Sequence, residues 1–152
     1  MVRLNDRMTT LDDVIEIAGR EQFLAVISTV RADQSVQASL VNAGFLDHPL
    51  SGERVLAFVT YGRAKLGNLR ARPQLAATFR SGWQWATVEG AAELIGPDDP
   101  HVAVDAERLR LLLREIFVAA GGTHEDWDEY DRAMLADGRS AVLVTPTRVY
   151  SN

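Results

Sequence analysis

"FLAVISTVRADQSVQASLV", residues 23–41, is the stretch on which the fold turns. Residues 23–30 are apolar and β-branched, and Ala32, Asp33 and Gln34 supply a connection. Beyond it Val36, Ala38 and Leu40 alternate with Gln37 and Ser39. That pattern predicts a hairpin. The apolar density of the first strand also predicts a partner on each of its sides.

Upstream, Thr10 and Asp13 have the spacing of a capping pair. Leu11, Val14, Ile15 and Ala18 repeat at helical intervals, and Gly19 supplies a stop. A short helix over 11–18, within an N-terminal segment 10–19, is expected. Downstream, "GFLDHPLSGE" (44–53) reads as a loop and "RVLAFVT" (54–60) as a strand. The period then changes: in "YGRAKLGNLRARP" (61–73), Ala64, Leu66, Leu69 and Ala71 suit one face of a two-turn helix ended by Pro73.

"QLAATF" (74–79) and "WQWATVEGAAEL" (83–94) read as two more strands. In the second, Trp83, Trp85, Thr87 and Glu89 share one face, and Gln84, Ala86, Val88 and Gly90 the other. "GPDDP" (96–100) is a break. Asp105 falls in the first turn of a helix reaching Ala119, with Leu109, Leu112, Leu113, Ile116 and Phe117 as its stripe. "GGTHEDWDEYDRAML" (121–135) reads as a loop and a helix capped by Thr123. "SAVLVTPTRVY" (140–150) is a last strand, bent or bulged at Pro146.

About six strands result, in one domain over 1–152. The barrel strands occupy 20–95 with a helical turn at 63–72, a helical insertion spans 101–137, and 140–150 returns to the sheet. Without regular βα alternation, a small, mostly antiparallel barrel fits better than a doubly wound sheet.

The net charge is −5, with 47% hydrophobic and 24% charged residues. An acidic total argues against sequence-independent nucleic-acid binding, which depends on neutralising many phosphates. No run approaches a membrane span, and "MVRLNDRMTT" lacks the apolar core of a signal peptide, so a cytoplasmic location is expected. There is no cysteine. His48, His101 and His124 form no short metal motif, so no metal site is expected.

Against that background, residues 61–73 hold Arg63, Lys65, Arg70 and Arg72, and no Asp or Glu occurs between Val55 and Val88. A helix starting near Arg63, just after Gly62, would aim free N–H groups at the junction. Arg63 and Lys65 would add charge-assisted bonds, with Asn68 on nearly the same face as Lys65. Two readings remain open here. One is a phosphate pocket; the other is a solvated basic face whose Arg70 and Arg72 pair with the acidic stretch at 125–131.

Several spaced elements resemble the flavin and deazaflavin oxidoreductases of the pyridoxamine-phosphate-oxidase-like split-barrel superfamily, and in particular the branch that uses coenzyme F420. The pattern there approximates R-x-K-x-x-N-L-R-R-D-P after a strand. Arg63, Lys65, Asn68, Leu69, Arg70 and Pro73 match it, while Ala71 and Arg72 depart from it. The 23–41 hairpin, "GWQWATVEGAAEL" and the C-terminal "THEDWDEYDRAML…VLVTPTRVY" resemble further family elements. Gln34 stands where the family's turn has glycine, and Val36 where its strand has proline.

The resemblance implies an FMN-binding split barrel acting as a homodimer, with the cofactor between two barrels. Arg63 and Lys65 would contact phosphate, and Thr60 and Asn68 its oxygens or hydroxyls. Gln37, Ala38 and Ser39 would line the ring or its polyol chain. Trp83 and Trp85 would wall the site from the partner subunit, unless they pack in the core or the dimer seam.

The implied activity is hydride transfer between F420 and a small acceptor with an activated double bond. No catalytic side chain is required, and water or Tyr61 would handle the proton. His124 reads as a cap or surface residue. The alternatives are an FMN-dependent enzyme and an F420 carrier without turnover. A long anionic F420 tail would give Arg70, Arg72 and Arg80 a role that a single FMN phosphate would not.

Overall fold

In the computed structural model, which describes residues 8–152, the chain forms seven strands and four helices. They run α1 (Leu11–Arg20), β1 (Leu24–Val30), β2 (Val36–Asn42), β3 (Gly44–Asp47), β4 (Arg54–Thr60), α2 (Arg63–Ala71), β5 (Gln74–Ser81), β6 (Gln84–Ile95), α3 (Ala106–Ala119), α4 (Trp127–Asp137) and β7 (Ser140–Ser151). The reading of the first seven residues as free of an apolar leader lies outside the described residues.

The strands make one antiparallel sheet in the order β2-β1-β5-β6-β7-β4-β3. Its two edge strands are consecutive in the chain, with only Ala43 between them. The Ala43 amide donates to the Phe23 carbonyl at 2.9 Å. Edge strands joined by one residue bring the ends of the sheet to a common corner, so the sheet curls as a split barrel does.

β1 lies between β2 and β5, as its apolar density predicts. β4 reads as an unbroken apolar run because both of its faces are covered. Leu56 and Phe58 join the inner core with Ile27, Leu69, Phe79 and Val142. Val55 and Ala57 join an outer core with Leu112, Ile116 and Tyr130 of α3 and α4. The helical insertion is therefore a lid on the outside of β4 and β7.

Four local expectations are corrected. Residues 44–47 are strand, not loop: they pair with 54–57, and Gly44 is needed because a Cβ there would come within 2.6 Å of the Ala120 amide nitrogen. Four residues are too few to display alternation. Gly19 does not end α1, which continues to Arg20. The turn out is made instead by Gln22 and Phe23, both left-handed at φ 59° and 57°. Asp105 caps α3 rather than lying within it, its Oδ1 accepting from the Arg108 amide at 2.8 Å. Asp126, not Thr123, caps α4 by accepting from the Asp128 and Glu129 amides.

The Thr10–Asp13 capping box is present. So is the irregularity at Pro146: Glu89 faces Arg148 while Gly90 faces Pro146, leaving Thr147 as the extra residue of a bulge.

Candidate functional site

β4 ends at Thr60 and α2 begins at Arg63, with Gly62 as N-cap and no side chain bonding to the first turn. The leading N–H groups of the helix are therefore left for another acceptor. The Gly62 amide donates to Thr60 Oγ1 at 3.4 Å, holding the buried threonine hydroxyl at the junction.

The core-facing side of α2 departs from expectation. Ala64 and Ala71 are exposed, and Lys65 is buried beside Leu66 and Leu69. Only 6% of Lys65 is accessible, and Nζ lies 5.5 Å from the centroid of the Phe58 ring. Among the described residues it has no hydrogen bond and no ion pair. Burial pulls its pKa below the ordinary 10.5, because desolvation penalises the charged form. Arg63 is exposed and also lacks an ion pair among the described residues.

A polar strip continues from α2 onto the hairpin. Asn68 Nδ2 donates to Thr29 Oγ1 at 3.1 Å, and Thr29 Oγ1 donates to Gln37 Oε1 at 3.0 Å. Ser39 follows two residues along the same face of β2, and its buried Oγ has no partner. A buried hydroxyl without a partner is costly and points to an atom supplied from outside.

The alternation in β2 is thus turned over. Gln37, Ser39 and Val41 face inward, while Val36 and Leu40 stand 60% and 63% exposed on the outer face. Ala38 lies on that outer face too, so only its backbone borders the strip. Trp83 and Trp85 are not brought to the junction within one protomer. They sit at the β5–β6 turn, separated from the α2 end of β5 by its eight residues, about 25 Å of strand. Trp83 is almost fully exposed, and Trp85 meets Tyr150 edge-on.

The remaining cations are engaged. Arg70 forms a bidentate pair with Asp99, with Nη2 to Oδ2 at 2.7 Å. Arg72 Nε donates to the Val30 carbonyl at 2.8 Å. Arg80 donates to the Gly82 carbonyl and lies 3.9 Å from Glu21. Neither the pairing of Arg70 and Arg72 with 125–131 nor a free basic groove built from Arg70, Arg72 and Arg80 is found. The break at 96–100 folds back to α2 and supplies the acid that the 125–131 stretch was expected to give.

The residue missed from sequence is Thr29. It is fully buried and joins Asn68 to Gln37. Its signal was present: alternation places it on one face with Ala25 and Ile27, where a hydroxyl needs a partner. Each histidine accepts a backbone N–H at Nδ1 from two residues on, namely Leu50, Ala103 and Asp126. His124 is accordingly a local brace. Tyr61 is half exposed, with the Arg139 guanidinium 3.9 Å over its ring.

A cavity of about 580 Å³ lies beneath α3 and α4, and one of about 370 Å³ lies by Ser28, Gln74 and Glu89 on the outer sheet face. Arg63, Lys65 and Ser39 line neither. No helix of the described residues is long and apolar enough to cross a membrane.

A curled antiparallel sheet with a polar inner strip beside a basic strand-to-helix junction defines the split-barrel class of cofactor-binding proteins. Residues 11–152 match the family described as pyridoxamine 5′-phosphate oxidase, and the chain belongs to that family. Among solved structures it is similar to Rv2991 from Mycobacterium tuberculosis, at 15% identity and a TM-score of 0.67 over 99% of this chain and 89% of that one. It is also similar to a protein named F420 reductase, at 18% identity and a TM-score of 0.60 over 95% and 98%. A pyridoxamine 5′-phosphate oxidase-related, FMN-binding protein from Nostoc punctiforme gives 15% and 0.62 over 95% and 86%. At these identities the likeness is one of fold.

Proposed function

We propose that the protein is an F420-dependent oxidoreductase that moves a hydride between the deazaflavin and a small organic acceptor with an activated double bond. The observation that supports it is Lys65, a buried ammonium with no carboxylate partner among the described residues, at the open end of α2. Buried charges in folded proteins are paired. A phosphate is the group for which a buried lysine, an exposed arginine and free helix N–H groups are suited. The partnerless Ser39 hydroxyl fits a ligand running from the phosphate along the inner strip.

The bound deazaflavin would supply the hydride chemistry, and the protein would supply position. Lys65 and Arg63 would hold the phosphate, with Thr60 at the same end. Asn68, fixed by Thr29, would orient its oxygens, and Gln37 and Ser39 would meet the polyol chain. The backbone at Ala38 would border the ring. Trp83 and Trp85 of a second protomer would close the site. That role is consistent with their exposure and with the apolar outer face of Val26, Val36 and Leu40, which a two-fold pairing would cover.

FMN is the second reading, favoured by one observation: Arg70 and Arg72 already have internal partners, which leaves cations for a single phosphate more readily than for a long anionic tail. Paired titrations of freshly purified protein with F420 and FMN separate the two. Saturable F420 binding, with loss of its absorption band when a donor reduces it and return of the band when an acceptor reoxidises it, is expected. Tighter binding of FMN would replace the first reading with the second, and F420 binding without turnover over diverse acceptors would make the protein a carrier.

A further inference from the structure

We infer that the cavity beneath α3 and α4 is a second binding site, for a small, mostly apolar molecule bearing one anionic group such as a carboxylate. This inference is independent of the cofactor reading. The cavity measures about 580 Å³, within the range of small-molecule pockets. Its walls include Ile95, Val104, Leu109, Leu113 and Met134, drawn from the end of β6, the 96–105 connection and the facing sides of the two helices.

The sign of the ligand follows from which charged groups around it already have partners. Three acids line the cavity, and all three are engaged. Glu107 pairs with Arg110. Asp131 takes Arg110 at 2.8 Å and Arg114 Nε at 2.9 Å. Asp105 is committed to the Arg108 amide as the α3 cap. Of the cations, Arg110 is doubly paired. Arg132 is exposed and has no ion pair among the described residues. Arg139 is ion-paired with Asp137, with Nε and Nη2 both donating to Oδ2 at 3.3 Å, and its guanidinium lies 3.9 Å over the Tyr61 ring. Among the described residues, Arg132 is thus the cavity-lining arginine left without an ion pair, so an apolar body in the chamber with an anionic end at Arg132 matches both features.

Decanoate and its uncharged counterpart decanol are the probes, added to the ¹⁵N-labelled full-length protein and followed by amide chemical shifts. Decanoate should shift residues 95–113 and 131–139 saturably, and should bind more tightly than decanol. Arg132→Gln, on an exposed side chain and hence without consequence for folding, should weaken decanoate about tenfold and leave decanol unchanged. Met134→Trp should fill the chamber and abolish both. Absence of saturable shifts, shifts centred on the outer face at Val26, Val36 and Leu40, or equal affinity for decanoate and decanol would each overturn the inference.

Discussion

Lys65 carries its ammonium to 5.5 Å from the Phe58 ring centroid, inside a wall otherwise made of Leu66, Leu69 and Phe58. A charge there opposes folding, and in the proposed function it serves an anion. Lys65→Met should therefore act in opposite directions on two measurements. Urea unfolding should show a gain of about 1 kcal/mol, because a desolvated charge is removed. Titration with the phosphate-bearing cofactor should show a loss of roughly 1.5–3 kcal/mol, the worth of a charge-assisted bond. Unchanged affinity would remove Lys65 from the site.

The same burial sets a pH dependence. The folded pKa of Lys65 lies below 10.5 because of desolvation. Between that lowered value and 10.5 the unfolded chain keeps a proton that the folded chain has lost, so this group makes stability rise with pH across the window. Anion binding runs the other way, since it requires the ammonium. Cofactor affinity should be full below the lowered pKa and fall as pH rises through it, whereas Lys65→Met should give a profile lacking that step.

The outer face of β1 and β2 predicts the assembly. Leu24, Val26, Val36 and Leu40 are exposed together, and Val26 faces Leu40 across the ladder. Light scattering should report about twice the 16.7 kDa of one chain. The double variant Val36→Glu, Leu40→Glu should report the single mass and lose cofactor affinity in parallel. Wild-type protein found only at 16.7 kDa with cofactor bound would exclude a site shared between protomers.

Gln34 holds a left-handed conformation at φ 72° in the β1–β2 turn, closed by its amide donating to the Arg31 carbonyl at 2.9 Å. A side chain there costs about 1–2 kcal/mol, and glycine would return part of that as unfolded-state entropy. Gln34→Gly should raise stability by roughly 0.5–1 kcal/mol in thermal unfolding, with cofactor binding unaffected.

What could be read from the sequence follows from how far each signal acts. The first hairpin and α2 were legible because alternation, turn residues and Pro73 are local. β3 was not, because its pairing with β4 is the only thing that makes residues 44–47 a strand. The basic segment was visible as a charge pattern, but which cations were available was not. Asp99 reaches Arg70 across 29 positions and the Val30 carbonyl reaches Arg72 across 42, so tertiary contacts decided the matter. The inward turn of Gln37 and Ser39 reverses the usual rule that apolar residues face the interior. It makes sense only once the barrel is seen to keep a polar inner strip and to present an apolar outer surface.

Thr29 tests that strip most directly. Its hydroxyl accepts from Asn68 and donates to Gln37, so it ties α2 to both strands of the hairpin. Thr29→Val preserves the shape and the strand propensity while leaving the Asn68 amide and the Gln37 carbonyl oxygen without their partner. A stability loss of about 1–3 kcal/mol is expected from those orphaned groups. Cofactor affinity should fall as well, because Asn68 and Gln37 would no longer be held toward the ligand. Thr29→Ser keeps the hydroxyl and should restore affinity while recovering stability only in part, since the methyl group is still missing from a fully buried position. If serine and valine weakened cofactor binding equally, packing rather than the hydrogen-bonded chain would be what Thr29 contributes.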